Sequence, residues 1–313
     1  MTVTRVAAID CGTNSIRLLI ADLDPETGEI TDLDRRMVIN RLGQGVDSTG
    51  RLAPEALERT FAACRTYAEL ITGHGVGPDR IRLTATSASR DAENAEEFTR
   101  GVREILGVRP EVITGEEEAH LSFLGATKEL SGTDLATPYL VFDLGGGSTE
   151  FVLGAEEVQA ARSVDIGCVR MTERHFAGTE LPTLGQISRA KADIRAALDL
   201  AAETVPLDSA ATLVGVAGTV TTVAGIVLEL PEYDSERIHH SRLTLEQVRE
   251  VAGRLLTATH AERAAIPVMH PGRVDVIAAG AVVLLEIMER TGAAELVVSE
   301  HDILDGIAWS IAP

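Results

Sequence analysis

The sequence predicts an α/β protein with mixed sheets, arranged as two domains. Three observations carry this reading. β-like and helical segments alternate for most of the chain. A length of 313 residues suggests roughly two domains. One strand–loop–strand unit also occurs twice: "VAAIDCGTNSIRLLIADL" and "YLVFDLGGGSTEFVLGAE" each read apolar strand, Asp, one residue, Gly, two residues, Ser, apolar strand. Asp10 aligns with Asp143, Gly12 with Gly145, and Ser15 with Ser148. Duplication of one structural unit is the economical explanation. It predicts two loops facing each other across a cleft, with a hinge rather than a tether between the halves.

The first block opens with a strand (Val3–Ile9), a tight polar turn, a second strand (Ile16–Asp22) and an extended segment near Met37. A helix follows from about Pro54 to Ile71, with Leu57, Phe61, Cys64, Ala68 and Ile71 on one face. A strand over Ile81–Ala85 runs into the loop "TSASRDAEN" and a helix to about Leu106. Thr114 and Glu117 have capping-box spacing before a helix with Ala119, Phe123, Ala126 and Leu130 on one side. The second block begins near Leu140 and repeats the plan. Its helix over Ile187–Val205 turns Ile187, Ala190, Ile194, Ala197, Leu198 and Ala201 inward, and Thr183/Gln186 and Thr244/Gln247 are further capping boxes. "VMHPGRVDVIAAG" opens a buried helix, with Arg273 in an exposed first turn.

Composition narrows the function classes. Hydrophobic residues at 45% and charged residues at 24% fit a globular protein with a real core. The longest uncharged apolar run, Val276 to Leu285, is far short of the ~18 residues of a membrane span. The amino terminus lacks a basic region followed by an apolar one, so no secretory signal is read. Cys11, Cys64 and Cys168 are odd in number and scattered, which points to buried thiols in a reducing, cytoplasmic setting. A net charge of −20 argues against nucleic acid as the main partner. It leaves phosphate ligands in a small pocket open, because backbone N–H groups, a metal ion and a few arginines set a local field there. His239 and His240 read as a solvated loop pair.

The glycine loops carry the chemistry. A turn stripped of Cβ atoms lets successive N–H groups approach phosphate oxygens. The dinucleotide reading of Gly145, Gly146 and Gly147 fails, because the last motif position is Glu150 and a strand, not a helix, follows. A site for polyanions calls for Mg²⁺, with Mn²⁺ as a substitute, and Asp143, Glu150 and Asp10 are its candidate ligands. Glu116 and Glu117 have structural roles open to them at a helix start, which leaves Glu118 unexplained. Arg17 and Arg90 are candidate phosphate holders.

Six segments, "DCGTNSIRL", "TSASRDAEN", "TGEEEAHL", "DLGGGSTE", "GVAGTVTT" and "VSEHDILDG", occur in that order. Together they resemble the exopolyphosphatase/guanosine pentaphosphate phosphatase family, of the actin–hexokinase–Hsp70 type of fold. The resemblance implies two ribonuclease-H-like domains flanking a cleft, one over residues 1–128 and 300–313 and the other over 129–299. It implies Mg²⁺-dependent removal of terminal phosphate from inorganic polyphosphate or guanosine pentaphosphate. It maps the water-activating glutamate onto Glu118, the metal-associated acids onto Asp143 and Glu150, and the phosphate loops onto Gly12, Thr13, Asn14 and Ser15 and onto Gly145, Gly146, Gly147 and Ser148. The family arginine maps onto Arg90, Gly218 and Thr219 onto the cleft wall, and a homodimer is implied.

Two departures stand out. Thr13 occupies a position where the family usually has Ser, and the additional helical domain of long family members is missing after Pro313, which suggests shorter polymers as substrates. Two other readings are a kinase of the same fold, marked by acceptor-dependent ADP formation, and a non-catalytic alarmone-binding regulator, marked by tight nucleotide binding without phosphate release.

Overall fold

The computed structural model describes residues 3–24, 29–128, 130 and 133–311. The chain divides into two compact units, Met1–Gly125 with Ile303–Pro313, and Ala126–Asp302. The first unit holds β1 (Thr4–Cys11), β2 (Ser15–Asp24), β3 (Glu29–Ile39), β4 (Ile81–Ala85) and β5 (Glu111–Val112). Their order in the sheet is β3-β2-β1-β4-β5. The first three strands pair antiparallel, and β4 and β5 add on in parallel, as in a ribonuclease-H-like unit.

Two-residue side-chain alternation explains the unbroken apolar runs of β1 and β2. Ala7, Ile9, Cys11, Ile16, Leu18 and Ile20 share a core with the helices Pro54–Gly73 and Ala95–Leu106. Val6, Ala8, Leu19, Ala21 and Leu23 point the other way, onto Leu121 and the Ile303–Ile311 helix. Each fully buried leucine there is worth about 1.5–3 kcal/mol. Gly306 lets that helix touch the Gly115–Thr127 helix backbone to backbone, since a Cβ would overlap the Leu121 carbonyl.

The second unit holds β6 (Tyr139–Leu144), β7 (Thr149–Gly154), β8 (Val158–Val164), β9 (Thr212–Val216), β10 (Arg242–Thr244) and β11 (Glu295–Val298). Read from one edge, β8-β7-β6-β9-β11 repeats the order of the first sheet, with β10 added antiparallel beyond β11. Phe142 and Phe151 stand opposite each other, ring centroids 6.4 Å apart, at the centre of its core. The Ile277–Thr291 helix is buried from Ile277 to Met288.

Local details depart from the sequence reading in several places. The Leu184–Ala202 helix begins earlier than Ile187 because the Thr183–Gln186 box fixes its first turn, and the Thr244–Gln247 box caps Leu245–Thr257 likewise. Only half of the third box forms: the Glu117 N–H donates to Thr114 Oγ1 at 3.2 Å, but the Glu117 carboxylate pairs with Arg82 at 2.6 Å. In the Pro54–Gly73 helix, Ala63 and Tyr67 take central core positions while Phe61 and Ala68 sit at its margin. The Tyr67 hydroxyl donates to the Ile16 carbonyl at 2.8 Å. "TSASR" is not a loop but the start of a helical turn, Ser87–Asp91. His239 is half-buried rather than solvated, stacked on His240 (3.7 Å) and His301 (4.8 Å). All three cysteines are buried and reduced, and burial pushes the Cys64 thiol up to about 12. No helix among the described residues is long and apolar enough to cross a membrane.

Candidate active site

In the second unit the chain turns back between β6 and β7 over Gly145–Ser148, closed by Gly145 N–H donating to the Ser148 carbonyl at 3.1 Å. The remaining loop carbonyls are held from behind. Cys168 N–H donates to Gly145 O (3.0 Å), Val169 N–H to Gly146 O (2.9 Å), and Arg170 Nε to Gly147 O (2.7 Å). These donors come from the short Cys168–Met171 helix, whose first turn carries spare N–H groups. With its acceptors engaged on one side, the loop is left with three donors on the other. The N–H groups of Gly146, Gly147 and Ser148 make no hydrogen bond among the described residues. Successive free N–H groups of this kind form an anion-binding concavity. Gly167 permits the arrangement, because a Cβ there would fall 2.6 Å from Gly147 N and overlap Gly146.

Asp143 and Glu150 flank the loop and lie directly opposite each other in the β6–β7 register. Such pairs have Cβ atoms about 4.5–5.5 Å apart. Both are buried, at 7% and 1% exposure, and Ser163 Oγ donates to Glu150 Oε1 at 2.7 Å. Two buried carboxylates in that relation repel unless positive charge lies with them. Among the described residues no group of three or more His, Cys, Asp or Glu side chains is placed to hold a metal. The donor set therefore suits an oxygen-seeking cation that takes one or two carboxylates and draws its other ligands from water and phosphate. It does not suit a metal caged by protein.

The first unit repeats the loop with a different charge. Gly12 N–H donates to Ser15 O at 2.9 Å, and the Thr13 and Asn14 carbonyls accept from Gly43 (2.8 Å) and Arg41 (3.0 Å). The Thr13 and Asn14 N–H groups again make no hydrogen bond among the described residues. Thr13 Oγ1 is 2.9 Å from Ser87 Oγ, so the hydroxyl at this position is used in holding the loop. Where the second hairpin has Glu150 opposite its aspartate, the first has Arg17 opposite Asp10. Arg17 Nε and Nη2 both donate to Asp10 Oδ2, at 3.0 and 2.7 Å. The first hairpin thus carries its own cation, and the structure places Asp10 and Arg17 on each other.

Glu118 occupies the first turn of the Gly115–Thr127 helix, with its residue 8% exposed. Arg90 Nη1 donates to Glu118 Oε2 at 3.3 Å and to the Ile113 carbonyl at 2.9 Å. Glu116 and Glu117 are exposed. Among these three acids Glu118 alone is buried, and it lies beside the permanent positive charge of Arg90. In the second unit, Arg273 is half-buried rather than the exposed first-turn residue expected from sequence. It donates to the Gly218 carbonyl and to Thr222 Oγ1 (3.1 Å), and a Cβ at Gly218 would strike its guanidinium. Sequence reasoning missed Ser163, Gly167 and Arg170. Nothing but the glycine in "DIGCVR" hinted at a close approach there.

Duplicated sheets, each with a hairpin loop of outward N–H groups, and a buried carboxylate pair define a phosphate-handling α/β protein. The Ppx/GppA phosphatase family model matches residues 19–313. Over the full length of both chains the protein is 51% identical to Exopolyphosphatase 2 of Mycobacterium tuberculosis. It is 46% identical to a solved exopolyphosphatase-like protein, with a TM-score of 0.92 and 98% of each chain covered. It is 29% identical to guanosine-5'-triphosphate,3'-diphosphate pyrophosphatase of Aeromonas salmonicida, over 97% of this chain and 59% of that one. The chain belongs to the Ppx/GppA phosphatase family.

Proposed function

We propose that this protein is an exopolyphosphatase, which hydrolyses the terminal phosphoanhydride of inorganic polyphosphate and releases orthophosphate. The observation that carries the reading is the Gly145–Ser148 loop, whose carbonyls are pinned and whose Gly146, Gly147 and Ser148 N–H groups are free for phosphate oxygens beside the Asp143–Glu150 pair. The full-length likeness to a protein named Exopolyphosphatase 2 supports the substrate class.

Asp143 and Glu150 would hold Mg²⁺, which supplies charge neutralisation on phosphate oxygens as the bond loosens. The Gly146, Gly147 and Ser148 N–H groups hold the terminal phosphoryl group, and those of Thr13 and Asn14 take further oxygens. Glu118 orients the attacking water and accepts its proton, a contribution typically worth ~10²–10⁴-fold. Arg90 fixes the Glu118 carboxylate and is the adjacent cation for the substrate. Arg17, locked to Asp10, acts by holding the first loop's hairpin and presents its charge beside that loop.

The likeness to the Aeromonas pyrophosphatase keeps guanosine pentaphosphate as the second candidate, since it ends in the same anhydride. Phosphate release measured in parallel from short polyphosphate, long polyphosphate, guanosine pentaphosphate and ATP, each with Mg²⁺, separates the two. Polyphosphate turned over fastest is the expected result. Preference for guanosine pentaphosphate overturns the first reading, and no release from any of the four overturns both.

A further inference from the structure

Away from the glycine loops, the first unit carries a recess of about 260 Å³ lined by Glu96, Thr99, Arg100, Arg103 and Arg109. Four of these lie on the Ala95–Leu106 helix and Arg109 follows just beyond its Gly107 cap. None of the loop residues lines it. Three arginines in one small hollow are unexpected in a chain of net charge −20. Elsewhere in this chain arginines are commonly tied to carboxylates, as Arg5 is to Asp22, Arg82 to Glu111 and Glu117, and Arg195 to Glu286.

Arg100, Arg103 and Arg109 make no ion pair and no side-chain hydrogen bond among the described residues. The acids of the same helix, Glu96, Glu97 and Glu104, form no ion pair with them. Glu96 lines the same hollow yet pairs with none of the three, and Glu97 lies instead 3.9 Å from Arg51. The Thr99 hydroxyl, on a residue only 9% exposed, also lacks a hydrogen bond there. Arg100 and Arg103, three apart, are neighbours on one helix face, where like charges repel. The helix C-terminus favours a cation only in its last turn, which contains Arg103 and not Arg100. The fold has thus gathered forked donors and left their acceptor to come from outside.

We propose that this recess is a second anion site, which accepts a short run of phosphoryl groups. Guanidinium forks match phosphate oxygens two at a time. Three positive charges against the single Glu96 exceed what one carboxylate needs and suit two or three linked phosphates. The volume lies just below the ~300–1,000 Å³ of sites for drug-sized molecules, which favours a bare phosphate chain over a whole nucleotide. Because the arginines are exposed, binding is screened by salt.

Calorimetric titration of the full chain with sodium tripolyphosphate in EDTA tests this. The wild type is expected to show a binding event that disappears in the triple variant Arg100→Ala, Arg103→Ala, Arg109→Ala, and each single substitution should weaken it roughly 2–5-fold. The triple arginine-to-lysine variant should bind in between, keeping charge but losing the fork. If the triple alanine variant misfolds, the single charge reversal Arg103→Glu carries the same expectation. Titrations of wild type and triple variant that superimpose overturn the proposal, as does a polyglutamate peptide that binds here as tightly as tripolyphosphate. The hydrolytic reading fails separately: the arginine-dependent event would persist in a protein that releases no phosphate.

Discussion

Gly167 sits behind the Gly145–Ser148 loop, so its substitution tests how tightly that loop must be held. Its φ of −142° is open to any residue, so Gly167→Ala adds one methyl group without backbone strain. That methyl would lie 2.4 Å from the Gly146 carbonyl carbon and oxygen and 2.6 Å from Gly147 N, where ordinary contact begins at 3.4 Å, so the loop and the Gly167 segment must separate by about 1 Å. Displacements near 1 Å cost about 10²-fold in rate when reacting groups are positioned by the moved element. We expect kcat/KM for phosphate release to fall by about that factor, with a destabilisation of about 1–3 kcal/mol from overpacking. Gly185→Ala is the control. Its Cβ would meet only Arg189, at 3.6 Å, in the exposed first turn of the Leu184–Ala202 helix, and turnover should be unchanged. Wild-type kcat/KM in Gly167→Ala would refute the claim that the pinned loop positions the phosphoryl group.

Further consequences follow from the carboxylates. Asp143→Asn removes a proposed metal ligand and one of two buried carboxyl groups that stand opposite each other. Turnover should drop by roughly 10²-fold or more, since metal stabilisation is worth several kcal/mol. The melting temperature without metal should hold or rise, and the stabilisation that Mg²⁺ gives the wild type should be lost; parallel loss of fold and rate would contradict this. Glu117→Ala breaks only an exposed pair with Arg82 and should leave the rate unchanged and stability within about 1 kcal/mol. Asp22 is held below the usual carboxylate range by its hydrogen bonds to Arg5. Its folded pKa is depressed, so the contribution is present above the unfolded value of about 3.9 and is lost as pH falls through the folded one. Asp22→Asn should therefore destabilise by up to about 1 kcal/mol at pH 7 and by nothing once the pH is below the folded value, which denaturation at the two pH values reads directly.

The duplication was legible because strand alternation and the Asp-x-Gly-x-x-Ser spacing are local signals; the strand order that the two sheets share was not, since it depends on pairing between distant segments. Elimination among three adjacent acids leaves Glu118 without a structural role, the family resemblance alone gives it a chemical one, and its burial beside Arg90 is what separates it from Glu116 and Glu117. What stayed hidden depends on contacts distant in the chain. The Cys168–Met171 turn holds the loop's carbonyls from more than twenty residues away, as Arg170 Nε to Gly147 O shows. Arg273 reaches back to Gly218 across a separation of 55 residues. "TSASR" read as a loop because serines disfavour helix interiors, yet here the turn is fixed by packing of Ala88 and by Thr13 on Ser87.

Glu118→Gln is the most direct measurement of the central claim. The substitution keeps size and shape but removes the proton acceptor. Single-turnover phosphate release from short polyphosphate should fall by ~10²–10⁴-fold, while the affinity for that substrate stays at the wild-type value. A variant that releases phosphate at the wild-type rate would show that water is activated by some group other than Glu118.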